Sequence, residues 1–139
     1  MAVYLGSNKI SGGNQISGAD YVVDQGYDAT TGMYYRKWDS GIAECNGIMY
    51  YHGLVNSQYG NGYIGDRFSV NFPEGLFNGV PRVFVSPQYS QKNFEIVRCQ
   101  WSYPSNTWSG EYKILTQEYV GESLSEPFQT AIFATGTWK

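Results

Sequence analysis

No stretch of this chain lets apolar side chains recur at i, i+3, i+4 and i+7 over the ~11 residues that define an amphipathic helix. Short runs of alternating character recur instead. In Asp66–Phe72 (DRFSVNF), Phe68, Val70 and Phe72 share one side, and Arg67, Ser69 and Asn71 share the other. That is the pattern of a strand with one buried face. Further runs of β-branched and aromatic residues cover Tyr21–Asp24, Met33–Trp38, Ile42–Leu54, Arg82–Ser86, Phe94–Trp101, Glu111–Gln117 and Phe128–Trp138. Gly, Pro, Asn and Ser bound them, as they bound strands. In Phe94–Trp101 the alternation is imperfect, as where both faces meet protein. Several short strands with turns between them predict an all-β fold, a small antiparallel β-sandwich rather than a βαβ sheet.

The chain's 139 residues suit one domain with its own core. Aromatics reach 17% while charged residues are only 15%, which argues against both a disordered chain and a charge-rich helical bundle. A net charge of −3 gives no basic face for nucleic acid or an anionic membrane. No apolar run approaches the ~18 residues of a membrane span, so no membrane insertion is expected. The start, MAVYLGSNKISGG, lacks the basic region and long apolar core of a signal peptide, so synthesis in a cytoplasm is expected. Cys45 and Cys99 sit inside strand-like runs, where buried free thiols are common, and two cysteines make a poor disulfide framework.

Residues 1–18 read differently from the rest. NKISGGNQISG is too rich in Gly, Ser and Asn to pack alone, so 1–18 is read as an N-terminal arm and 19–139 as the β-sandwich head. The arm is either a frayed tail or a segment ordered against a neighbouring subunit.

Residues 34–47, YYRKWDSGIAECNG, read as strand, turn, strand, with Asp39-Ser40-Gly41 at the turn and Gly41 free to take positive φ. On the incoming strand Tyr34, Arg36 and Trp38 point one way, and Tyr35 and Lys37 the other. A guanidinium between two rings can lie across aromatic planes on adjacent strands. Glu44, returning, is in position to pair with Arg36 or Lys37. The hairpin serves as scaffold, as a subunit contact, or as part of a ligand site.

Contact chemistry concentrates in two loops. Met49–Tyr63 (MYYHGLVNSQYGNGY) interleaves Tyr50, Tyr51, Tyr59 and Tyr63 with small polar residues, Asn61 among them, and holds the only histidine, His52. Stiff amphipathic rings beside adaptable amides and hydroxyls are the mixture of binding loops on β-sandwiches. Such a mixture suits glycans, whose aliphatic faces stack on rings while hydroxyls take hydrogen bonds. The alternative is a long surface loop whose tyrosines cover the core. The second loop, Trp101–Gly110 (WSYPSNTWSG), turns at Pro104-Ser105-Asn106 and leaves Trp101, Tyr103 and Trp108 near its base, as core, interface or ligand platform.

Catalytic signals are weak. Nothing near His52 resembles a nucleophile elbow, and no ligand-spaced cluster of His, Cys and acids suggests a metal. The glycines are scattered turn residues rather than a phosphate cradle. Paired carboxylates for glycoside cleavage leave no sequence signature, and Asp24, Glu44 and Glu95 read as surface or ion-pair residues. No catalytic residue, metal or cofactor is therefore expected, and the chain reads as a binding protein rather than an enzyme.

The pattern Tyr-Arg-Lys-Trp, x, Ser-Gly, x, Ala-Glu-Cys (residues 35–45) resembles the signature that opens the C-terminal receptor-binding head of many phage tail-fibre proteins. FSVNFPEGLFNGVPRVFVS (Phe68–Ser86) is similar to a strand pair of the H-type lectin family, and Ala131–Lys139 to the way such fibre heads end. Asn46 follows Cys45 where that family often has an aromatic. The resemblance covers about residues 21–139. It implies an H-type lectin-like β-sandwich, a homotrimer, on a phage or prophage virion tail made in a bacterial cytoplasm. Its distal loops would bind a cell-surface carbohydrate without changing it, beside other tail or fibre proteins. The candidate contact residues are Tyr50, Tyr51, His52, Tyr59, Asn61, Tyr63, Tyr103 and Trp108. Two other readings are a structural fibre or baseplate component that binds only protein, and a glycan-degrading tailspike domain.

Overall fold

The computed structural model describes residues 19–139, and no helix occurs among them. The arm expected over 1–18 lies outside the described residues. The described residues form nine strands: β1 (Val22–Asp28), β2 (Met33–Trp38), β3 (Ile42–Tyr51), β4 (Val55–Tyr59), β5 (Gly62–Gly65), β6 (Arg82–Tyr89), β7 (Glu95–Arg98), β8 (Tyr112–Thr116) and β9 (Phe128–Thr137). They make two antiparallel sheets, β1-β2-β3-β9-β6 and β4-β5-β8-β7.

The two longest strands, β3 and β9, hold the domain together because alternate residues along both face inward for their whole length. At one end Ala43, Cys45 and Met49 of β3 pack with Ile132 and Ala134 of β9. Phe72, Leu76 and Phe77, from the loop between β5 and β6, cover them. At the other end Tyr51 and Phe128 pack against Val55, Ile114 and Val120, which fastens the smaller sheet. The layer facing the larger sheet is thus half loop and half sheet, a β-sandwich-like arrangement. Fully burying such side chains stabilises by roughly 1.5–3 kcal/mol each. Between the two clusters Thr130 is fully buried, and its hydroxyl has no hydrogen-bond partner among the described residues.

The turn at Asp39-Ser40-Gly41 forms as its residues demand. Gly41 has φ of 99°, and its N–H donates to the Trp38 carbonyl at 3.0 Å. Asp20 ties this turn to the start of β1, accepting from the Ser40 amide at 3.0 Å and the Ser40 hydroxyl at 2.6 Å. Arg36 and Glu44 face each other in register, as the sequence suggests. The cation over a ring is not Arg36, however. Its row on the outer face holds Gln25, Glu44, Thr135 and Arg82, none of them aromatic. Lys37, on the inner side, instead lies 5.2 Å from the Trp138 ring centre.

Asp66–Phe72 has the expected alternation but is not a regular strand. Phe68 and Tyr112 exchange both backbone hydrogen bonds at 2.9 Å. One step on, the Val70 amide finds the Ser109 hydroxyl at 3.0 Å instead of a carbonyl. Only isolated bridges, Phe68 to Tyr112 and Asn71 to Trp108, remain of the ladder. The strand expected over Phe94–Trp101 stops at Arg98, and Trp101 takes a positive φ of 64°. Ile42–Leu54 stops at Tyr51, and the loop read beyond it folds into the β4–β5 hairpin.

Both cysteines are free and buried. Burial, and secondarily the charge of Glu44, pushes the Cys45 thiol up to about 12. Burial likewise raises the Cys99 thiol.

Candidate functional site

The β4–β5 hairpin carries the candidate site. Tyr59 pairs with Gly62 across a two-residue loop, Gly60-Asn61. Gly60 has φ of 59° and Asn61 does not take positive φ, the pattern of a type II′ turn matched to strand twist. The hairpin sits tightly on the end of β8. A Cβ on Gly62 would lie 2.5 Å from the Thr116 carbonyl oxygen. That close approach brings the tip beside the segment entering β7.

The result is a shallow groove of about 350 Å³. Tyr59, Asn61 and Tyr63 line one side, and Asn93, Phe94 and Glu95 the other, with Thr116 and Gln117 at the end of β8 between them. Its floor is anchored. The Phe94 ring meets Phe128 edge-on at 5.2 Å, and Tyr63 meets Tyr119 edge-on at 5.4 Å. The wall is open, with Tyr59 58% exposed. Asn61, Asn93 and Gln117 each offer an amide that both donates and accepts, and Glu95 offers carboxylate oxygens. One exposed ring beside several amides can stack a sugar's C–H face and bond its hydroxyls together. Among the described residues, one carboxylate and no cation line the groove.

The other candidates are not gathered here. Tyr51 is core, with only 6% exposure. Its hydroxyl donates to the Leu54 carbonyl at 2.7 Å and accepts from the Asp66 amide at 2.9 Å, so no ligand reaches it. Tyr50 is exposed on the outer face of the larger sheet. His52 is exposed just beyond the end of β3. Tyr103 is 64% exposed and Trp108 half-buried, but both belong to the opposite end of the smaller sheet. The register makes this plain, because Glu95 pairs with Leu115 while Arg98 pairs with Tyr112, so the β7–β8 connection leaves away from the β4–β5 tip. The two aromatic loops therefore cannot close on one small ligand.

Sequence reasoning missed Asn93, Phe94 and Gln117, and read Glu95 only as a surface or ion-pair residue. Their places follow from the β7–β8 register and the seat of the hairpin on β8, which are non-local. The hairpin itself had a local signal, the Gly60-Asn61 pair between NSQY and GYIG. Among the described residues no group of three or more His, Cys, Asp or Glu comes together to hold a metal ion.

What the fold and groove define is an all-β domain presenting an aromatic-walled, amide-rich recess at the β4–β5 tip. The chain matches no family model, no curated protein and no solved structure.

Proposed function

We propose that this domain is a non-catalytic carbohydrate-binding head, of the kind that phage or prophage tail fibres use to recognise a bacterial surface glycan. The groove is the single observation that carries the binding reading: an exposed Tyr59 ring, with Asn61, Asn93 and Gln117 around it. The motif resemblance at residues 35–45 supports the tail-fibre setting. Glu95 as the one charge in the groove favours neutral or amino sugars over acidic ones. It also favours binding over cleavage, since the pair of carboxyl groups that glycosidic hydrolysis uses is not among the described residues lining the groove. A shallow site of this size binds weakly alone, and repetition of the head on one particle raises avidity without new contacts.

The test is an array of bacterial surface polysaccharides, probed with the wild type and with Tyr59→Ala and Asn61→Ala. Selective retention of the wild type on neutral or amino-sugar glycans, lost at least tenfold in both variants, is the expected result. A silent array, with capture of a neighbouring virion protein instead, would favour the structural-component reading. The exposed rings on the outer face of the larger sheet support that second reading.

A further inference from the structure

The outer face of the larger sheet carries a second, independent signal. Across four strands two rows run side by side. One holds Gln25, Arg36, Glu44 and Thr135, and the next holds Tyr27, Tyr34, Asn46 and Phe133. Among the described residues none covers this face, where Tyr27 is 55%, Tyr34 60%, Ile42 46% and Phe133 37% exposed. Among the described residues neither Arg36 nor Glu44 makes an ion pair within the chain, although they are cross-strand neighbours.

We infer that this face binds a second copy of the same chain, about a two-fold axis parallel to the strands between β2 and β3. The argument is self-complementarity. Such an axis exchanges β2 with β3 and β1 with β9. It therefore sets each Arg36 over the other copy's Glu44, each Tyr34 over Asn46, and each Tyr27 over Phe133. Arginine meets carboxylate twice, ring meets amide twice, and ring meets ring twice, which is what an isologous contact requires. An axis through the centre of β3 would instead stack Glu44 on Glu44.

The size fits. Four strands at ~4.8 Å and about seven residues at ~3.3 Å give a footprint of about 440 Å² in plan. Roughened by side chains and expanded by the radius of water, it approaches the ~800 Å² that each partner contributes to a standard interface. Facing sheets packed ~10 Å apart would leave these rings room to interdigitate. The groove at the β4–β5 tip lies on the other sheet, so pairing leaves it open. The inference does not depend on the proposed function, and it differs from the threefold assembly that the family resemblance implies.

Sedimentation equilibrium on the whole chain tests it. The wild type is expected at about twice 15.6 kDa. Glu44→Arg alone places two arginines opposite two arginines, and Arg36→Glu alone opposes four acids. Each single variant is expected to be a monomer with an unchanged circular dichroism spectrum. An equimolar mixture of the two restores every Arg–Glu pair, so it is expected to return to the two-copy mass. No effect confined within one chain produces that rescue. Tyr34→Ser, which leaves the charges alone, is expected to raise the dissociation constant at least tenfold. A wild type that sediments as one copy or as three overturns the inference. So does a pair that survives both charge reversals, or a mixture that stays monomeric.

Discussion

The Tyr51 hydroxyl donates a hydrogen bond to the Leu54 carbonyl at 2.7 Å, closing the chain where β3 hands over to the smaller sheet. The same oxygen accepts the Asp66 amide at 2.9 Å, so one side chain pins both ends of the β4–β5 hairpin. Eight residues away, Tyr59 stands 58% exposed on that hairpin. The two tyrosines look alike in sequence and should behave oppositely. Tyr51→Ala is expected to cost ~3–5 kcal/mol, and Tyr51→Phe, which strands the Asp66 amide, ~1–3 kcal/mol. Tyr59→Ala should stay within ~0.5 kcal/mol of wild type while weakening glycan binding. Chemical denaturation of the three variants checks this. Equal losses for Tyr51→Ala and Tyr59→Ala would contradict the division into core and site.

Thr130 offers a gain. Its hydroxyl is fully buried between the two core clusters, without a partner among the described residues. Thr130→Val keeps the shape and removes a polar group that lost its water on folding. Stability is expected to rise by ~1 kcal/mol, or about 4 °C in Tm. A drop in the melting temperature would mean that the hydroxyl is satisfied after all.

The thiols carry a pH prediction. An ordinary thiol ionises near pH 9.0, whereas burial, with Glu44 adding to it, holds the Cys45 thiol protonated up to about 12. Its folded value is thus above its unfolded one, so its contribution is fully present below about pH 9. That contribution should be lost as pH climbs toward 12, because only the unfolded chain releases the proton there. At pH 8 the native protein should react slowly with a thiol reagent and the denatured protein fast, which a colorimetric titration reads directly. Rapid labelling of two thiols in the native state would refute the burial of Cys45 and Cys99.

Gly62 is where the groove is most brittle. A methyl group there would press on the Thr116 carbonyl oxygen, a backbone atom that moves only if β8 moves. Gly62→Ala should cost ~1–3 kcal/mol and shift Asn61 and Tyr63 relative to Gln117. Thermal melts and glycan binding should therefore suffer together. Unchanged binding in a destabilised variant would detach the groove from the hairpin's seat.

Much of the scaffold was legible because its signals are local. Gly41 at the DSG turn, the alternation of Tyr34 and Tyr35, and the placing of Glu44 opposite Arg36, one of its two candidate partners, follow from spacing within one hairpin. Phe68, Val70 and Phe72 do point inward as spaced, but no local pattern reveals that the Ser109 hydroxyl interrupts their ladder. The site was less legible for a physical reason. Tyr51 and Tyr59 share a composition, and only the packing of β3 against the smaller sheet buries one ring. Asn93 and Gln117 meet Asn61 through strand register, which joins residues far apart in the chain. Trp101–Trp108 and the β4–β5 tip, both aromatic and turn-rich, are sent to opposite ends by that same register.

The most direct measurement of the central claim is an amide chemical-shift map. The ¹⁵N-labelled domain would be titrated with the oligosaccharide selected on the polysaccharide array. Saturable shifts at Tyr59, Asn61 and Tyr63, together with Asn93, Glu95 and Gln117 across the groove, are the predicted result. Shifts confined to Ser102–Trp108 at the far end, or none at millimolar sugar, would contradict it.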